Sequence, residues 1–388
     1  MKKHIIVSLL LIFAMVLTAC AQATQAPATT EAPQTEAVTT AAPTEVPPTA
    51  TVAPTPTMSL MEELEANAKK EEGILNSYGM PEVWANYGNI FAEFQKRYGI
   101  TDQDIDMGSS VVFSRMTEEN ASKNDIADLK PSFAAKLADA GLTMDYKVSC
   151  WDQLPEGQKG VGKDGSVWQA AYKGTLGWIV NTNIVSKVPK SWKELNDPAY
   201  KGLISYLDPR ATGTGVNTVE AASYAASGDP YNYEAGAAFL ADLQKAGVIA
   251  SVDPKVDVSK FQRGEVAILI NFDYNLLQWK KDLGIPAEVV IPSDGTIASG
   301  GGVIAAKNAP HPYSAKLFLE FLLCGDGQQM YASAFVSPIN PAVTIPPDVA
   351  AMFPPAEEYK NVAFIDYAKD AEISDALKEA WAKATGAK

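Results

Sequence analysis

The chain has 388 residues, 47% of them hydrophobic, and its 46 Asp and Glu against 32 Lys and Arg leave a formal net charge of −14. That length suffices for one large domain or two. An acidic chain without a basic cluster is a poor partner for nucleic acid or for an anionic surface.

Lys2, Lys3 and His4 precede an apolar run from Ile5 to Leu17, and "LTAC" closes the segment at Cys20. A charged start, an apolar stretch and small residues before the cut describe a secretory signal. The run falls short of the roughly 20 apolar residues that span a bilayer. "LTAC" resembles a bacterial lipobox, which implies a signal over residues 1–19 and a lipidated Cys20 as first mature residue, anchored on the extracytoplasmic face of a membrane. Bacterial lipoproteins carry more than one acyl chain, enough for stable anchoring. Residues 20–58 are almost entirely Ala, Thr, Pro, Glu and Gln, with no Lys, Arg or aromatic side chain. Such a segment buries too little apolar surface to offset its ordering entropy and reads as an extended, disordered tether.

From Ser59 onward the pattern is globular. "GILNSYG", Gly73 to Gly79, reads as a buried strand ending in a turn. Trp84, Tyr87, Phe91, Phe94 and Tyr98 then recur at spacings of three and four, which predicts a helix whose aromatic stripe faces the core. "DMGSSVVF" opens a further element, "NDIADL" is a short strand, and "PSFAAKLADAGL" is a helix with Pro at its start and Gly near its end. Strands alternating with helices predict a parallel sheet of βαβ units.

The middle of the chain holds a long β-rich run, Val167 to Asn183, and a Gly-rich turn, "TGTG", opening into an Ala-rich helix. The strand "VAILI", Val266 to Ile270, runs into the polar cluster Asn271, Asp273, Tyr274 and Asn275. A last β run, Val303 to Ala306, precedes a helix with Pro312 in its first turn. Cys150 and Cys324 are left either to pair in an oxidising compartment or to stay buried and free. Nothing marks an enzyme: the only histidines are His4 and His311, and no nucleophile elbow, phosphate-binding loop or zinc spacing occurs.

"TLGWIVNTNIVSKVPKSWKELNDPAYKGLISYLDPRATGTGVNT", with "GEVAILINFDY" and "ASGGGVIAAKNAPHPYSAKLFLEFLL", resembles the bacterial extracellular solute-binding proteins of ABC importers. The nearest group is the ferric-iron, polyamine, phosphonate and sugar-phosphate binders. The resemblance implies an α/β fold of two lobes, of the type II periplasmic-binding-protein kind, each a mixed sheet flanked by helices. Lobe one would take residues 59–175 and 303–388, lobe two residues 180–296, with hinges near 172–180 and 296–303. It also implies a monomer that captures a small polar solute between its lobes and delivers it to an ABC permease. That solute would be a metal with its anion, a phosphonate or a phosphorylated compound, or else a polyamine, with no cofactor.

Ligands of open α/β sheets bind beyond the carboxyl ends of the strands. Asn271, Asp273 and Tyr274 are therefore expected to face a cleft. The resemblance makes Asp273 and Tyr274 metal ligands if the solute is ferric iron, though the family's iron binders carry two adjacent tyrosines here. Asp273 alternatively caps the helix that follows. Thr212, Gly213 and Thr214 stand at a helix start, where exposed backbone N–H groups make an anion site. Tyr78, Gly79, Met80 and Glu82 follow the first strand and Ser109 and Ser110 the second, which makes them candidates from the other lobe.

Overall fold

In the computed structural model of the chain, residues 58–387 are described. The expected signal, Cys20 and nearly all of the tether lie outside the described residues. Helix α1 (Leu60–Ala68) begins at Ser59, whose hydroxyl accepts from the Glu62 N–H while the Glu62 carboxylate accepts from the Ser59 N–H. This reciprocal cap satisfies two donors that a helix start leaves orphaned. The expected alternation follows: β1 (Ile74–Tyr78), α2 (Tyr87–Tyr98), β2 (Thr101–Ile105), α3 (Ser109–Glu118), β3 (Ile126–Leu129) and α4 (Pro131–Asp139). The helix expected from Trp84 starts only at Tyr87. Ala85 and Asn86 take positive φ values of 45° and 64°, a conformation that cannot continue a right-handed helix. Trp84 therefore sits in a turn, free of the stripe to which its spacing assigned it.

The middle of the chain builds β4 (Lys159–Val161), the long β5 (Val167–Asn181), β6 (Ile204–Leu207), α5 (Gly213–Ser227), α6 (Tyr233–Lys245) and β7 (Ile249–Asp253). Then come α7 (Val258–Gln262), β8 (Ile268–Phe272), α8 (Asp273–Asp282), β9 (Ala287–Val290) and β10 (Thr296–Ala305). The last elements are α9 (Pro312–Leu319), α10 (Gly327–Ala332), β11 (Ser337–Pro338), α11 (Pro347–Ala350), β12 (Val362–Phe364) and α12 (Tyr367–Thr385).

The main strand order is β2-β1-β3-β10-β5-β8-β6-β7. Parallel pairs, β2-β1-β3 at one end and β8-β6-β7 at the other, flank two long antiparallel strands. The first half of β5 pairs with β10, and its second half, Leu176 to Val180, pairs with β8. One strand thus belongs to both ends of the sheet. β10 pairs with β3 and β5 and is bulged between Gly301 and Gly302. The fold is the mixed α/β architecture of type II periplasmic binding proteins. Trp178 and Trp192, fully buried, meet edge to face at 5.4 Å behind β5.

Cys150 and Cys324 form a disulfide that joins positions 174 residues apart. Beside it, the Glu320 carboxylate accepts from the Tyr146 hydroxyl at 2.7 Å and from the Ser149 N–H at 2.8 Å. Both links pin the segment before β4 to the helical turn Glu320–Cys324 that follows α9.

A second long-range tie is ionic. The Lys130 ammonium, at the start of α4, lies 2.9 Å from Glu220 on α5 and 2.7 Å from Asp370 on α12. All three side chains are buried, and Asn217 donates its amide N–H to Glu220 at 2.7 Å. Two carboxylates share one ammonium, so burial and the neighbouring Asp370 push the Glu220 carboxyl up to about 8. Its folded pKa exceeds the ordinary value near 4.3. The folded state therefore holds an extra proton between these limits, and this site's contribution to stability falls as pH rises through that window. Removing one member of a buried ion cluster strands the others. Lys130→Met is expected to cost about 3–5 kcal/mol of unfolding free energy in urea titrations at pH 7. A loss within 1 kcal/mol would show that the cluster is dispensable.

Candidate functional site

The ends of β1, β3 and β6 and the start of α8 converge on a cavity of about 110 Å³. Two helix starts meet across it. A Cβ placed on Gly108, the residue before α3, would lie 2.2 Å from the Ala211 carbonyl oxygen. Only glycine lets these two loops touch. The Ser109 hydroxyl accepts from the Lys130 N–H at 3.0 Å. Thr212 caps α5, its hydroxyl oxygen accepting from the Gly215 N–H at 2.9 Å. The first N–H groups of a helix have no acceptor within it and carry the positive end of its dipole. Two such starts, with Ser109 on one and Gly213 and Thr214 on the other, line the same cavity.

A buried carboxylate forms the other side. Oδ2 of Asp128, near the end of β3, accepts from the Tyr172 hydroxyl at 2.6 Å and from the Tyr87 hydroxyl at 2.8 Å. Tyr172 in turn accepts from the Trp84 indole N–H at 2.8 Å, and Tyr331 donates to Tyr87 at 3.1 Å. A Cβ on Gly301 would lie 2.2 Å from the Tyr172 ring, so a side chain there would displace the phenol from Asp128. Oδ1 of Asp128 has no protein hydrogen bond among the described residues, and Asp128 lines the cavity. Burial pushes this carboxyl up to about 7, while the two phenol donors pull it back. Trp84, Tyr172 and Tyr274 meet edge to face, with Tyr274 at 5.9 Å from Trp84 and 5.6 Å from Tyr172, and Phe272 stacks on Tyr274. The exposed side chains of Asp106 and Lys255 stand in the wall as well.

Asp128 and Lys130 are two residues apart, which in extended backbone is about 6.8 Å. The helix starts gather around Lys130, since a Cβ on Gly213 would lie 3.0 Å from Lys130 Cβ. An electropositive nest and a carboxylate with aromatic walls therefore lie a few ångströms apart in one cavity.

Of the residues singled out from sequence, Gly79, Ser109, Thr212, Gly213, Thr214 and Tyr274 line the cavity. Tyr78 turns to the opposite face, donating to Glu119 at 2.8 Å beneath the Arg115 guanidinium. Met80 is fully buried and Glu82 is exposed; neither is in the wall. Ser110 lines a neighbouring groove. Strand β8 runs two residues beyond Ile270, so Asn271 is locked at its end, accepting from the Phe272 N–H and the Asn275 amide. Asp273 lies behind the wall. Its Oδ1 accepts from the Thr175 N–H at 3.0 Å and the Tyr274 N–H at 2.9 Å, and its Oδ2 from the Tyr359 hydroxyl at 3.3 Å. It fastens the start of α8 to β5. No group of three or more His, Cys, Asp or Glu is placed to hold a metal ion among the described residues.

Sequence reasoning missed Asp128, Lys130, Tyr172 and Trp84. Asp128 and Lys130 were within reach, because "NDIADLKPS" is a strand end feeding a helix, the same signal that singled out Ser109 and Thr212.

Residues 121–371 match the family model of the bacterial extracellular solute-binding proteins. The chain belongs to this family. An uncharacterised protein of Haemophilus influenzae is 30% identical over 298 residues, 71% of this chain and 81% of that one. A Salmonella typhimurium protein with the provisional name 2-aminoethylphosphonate-binding periplasmic protein is 23% identical over 247 residues, 61% of this chain and 69% of its own. Among solved structures, the periplasmic binding protein AfuA of Actinobacillus pleuropneumoniae, with fructose-6-phosphate bound, superposes with a TM-score of 0.67 at 22% identity. That superposition covers 82% of this chain and 100% of AfuA. Solute-binding proteins of this class bind small ligands and serve ABC permeases.

Asp273→Ala removes the acceptor of two backbone N–H groups and a hydroxyl. The expected cost is about 1–3 kcal/mol of stability, read as a lower urea midpoint with an unchanged m-value. An unchanged midpoint alongside weakened solute binding would return Asp273 to the ligand.

Proposed function

We propose that this solute-binding protein captures a small phosphonate or phosphate monoester that also carries an ammonium group. The observation that supports this reading is the meeting of two helix starts in the cavity that also holds Asp128. The acid group takes the N–H groups around Ser109, Gly213 and Thr214, where a dianion gains most from the helix dipoles. The ammonium takes the free Oδ1 of Asp128 and the faces of the Trp84, Tyr172 and Tyr274 rings, which attract cations. A polyamine would use only the second half of this arrangement. Ferric iron would find the Tyr274 phenol without the Asp273 carboxylate, which is bonded elsewhere. A sugar phosphate would use the nest and give hydroxyls to Asp128, and the AfuA likeness favours that second reading.

In this proposal, capture involves no chemistry on the solute. Residues 59–175 with 303–388 form one lobe and 180–296 the other, and they close about β5 and β10. Closure is driven by the ligand's contacts with both lobes in the closed state, and the closed surface engages a permease. Cys20 would hold the monomer at the membrane.

Titration calorimetry separates the readings. We expect 2-aminoethylphosphonate to bind at least ~100-fold more tightly than putrescine, and more tightly than fructose-6-phosphate. Equal or tighter binding of putrescine would defeat the proposal, and tighter binding of fructose-6-phosphate would favour the second reading.

The pH profile isolates Asp128. Its folded pKa is raised to about 7, so the carboxylate that attracts an ammonium is lost as pH falls below that value. Affinity for 2-aminoethylphosphonate is expected to rise from pH 6 to 8 by a larger factor in the unaltered protein than in Asp128→Asn, where only the ligand's own ionisation acts. Equal factors in the two proteins would remove Asp128 from recognition.

A further inference from the structure

A groove of about 360 Å³ lies on the outer side of α3, separate from the solute cavity. Its floor is apolar: Phe113 and Phe133 pack at 5.6 Å, and Val111 beside them is exposed. Two lysines hang over it. The Lys378 ammonium, on α12, stands 4.7 Å from the centre of the Phe133 ring, and that of Lys136, on α4, stands 5.9 Å from it. These side chains are only 17% and 27% exposed, whereas the single carboxylate between them, Asp375, is 77% exposed.

The charges in this groove are unevenly matched. Asp375 reaches Lys378 at 3.3 Å and Lys136 at 3.7 Å, long for charge-assisted hydrogen bonds, which run about 2.7–2.9 Å. Burial, together with the neighbouring Lys136 and Lys130, pushes the Lys378 ammonium below its usual range. Two ammonium groups are thus held together and partly out of water by one loosely attached, solvated carboxylate. Ser110, which also lines the groove, has a buried hydroxyl without a hydrogen-bond partner. Arg210 forms the far wall, its guanidinium bound to Asp208 at 2.7 Å.

We propose that this groove is a second anion site, which takes a phosphoryl group between Lys136 and Lys378. A dianion there contacts both ammonium groups at full hydrogen-bonding distance and displaces Asp375 into solvent, where that carboxylate is already mostly exposed. The apolar floor suits a phosphate ester with a short hydrocarbon body. Because none of Lys136, Lys378 and Asp375 lines the solute cavity, the site stands or falls independently of what that cavity holds.

The test titrates inorganic phosphate at low ionic strength into the full chain and into three variants, with melting curves to confirm folding. Lys378→Gln and Lys136→Gln are each expected to weaken phosphate binding about tenfold, the scale of one charge-assisted contact. Asp375→Asn removes the competing carboxylate and is expected to tighten binding severalfold, a gain that loss of a packing role would not produce. Affinity for solutes of the cavity should stay within about twofold in all three. Phosphate isotherms that are unchanged in the lysine variants, weaker in Asp375→Asn, or absent in the unaltered chain would overturn the proposal. Asp375 is exposed, so its variant keeps the test decisive if a lysine variant fails to fold.

Discussion

A carboxylate placed inside a protein needs donors, because an isolated buried charge is far costlier than any packing gain around it. Asp128 meets that requirement with phenols brought from distant segments. Tyr87 comes from α2 and Tyr172 from β5, while Tyr331 on α10 and Trp84 before α2 hold those phenols in turn. The pairs in this chain of hydrogen bonds are separated by 41 to 244 residues in sequence. Once Asp128 is bonded, α2, β3, β5 and α10 have fixed positions relative to one another, and the cavity wall is largely determined. Networks of this kind are worth more than their separate bonds when every member is satisfied.

The same strand carries the other control point. Two residues beyond Asp128, Lys130 reaches into a nest of two carboxylates from α5 and α12. The hydrogen-bonded acid and the buried ammonium thus follow one another along a single short strand end. One faces the aromatic walls and the other anchors the helix starts. The spacing of a β-strand, rather than any loop flexibility, sets the distance between Asp128 and the helix starts gathered around Lys130.

Electrostatics also explains how a chain of net charge −14 presents two electropositive places. In the cavity the positive potential comes from backbone N–H groups at helix starts, which net charge does not count. In the outer groove it comes from two half-buried lysines facing one exposed aspartate. Local geometry rather than total charge decides what each place attracts.

Much of this molecule was legible in its sequence, and for identifiable reasons. The order of strands and helices followed from local periodicity, and the family motifs between Thr175 and Thr218 carried the fold. The nest at Thr212, Gly213 and Thr214 and the wall positions Gly79, Ser109 and Tyr274 followed from a local rule about strand ends and helix starts. What tertiary structure alone decided was the direction and partnership of side chains. Asp273 read as a cleft residue, yet the N–H of Thr175 and the hydroxyl of Tyr359 lie behind it and claim its carboxylate. Trp84 matched a helical stripe, yet the left-handed Ala85 and Asn86 after it delay the helix to Tyr87 and leave its indole to donate to Tyr172. Local sequence specifies backbone propensity over a few residues. Which distant donor meets which acceptor is settled only when the sheet brings them together, and burial then makes that choice binding.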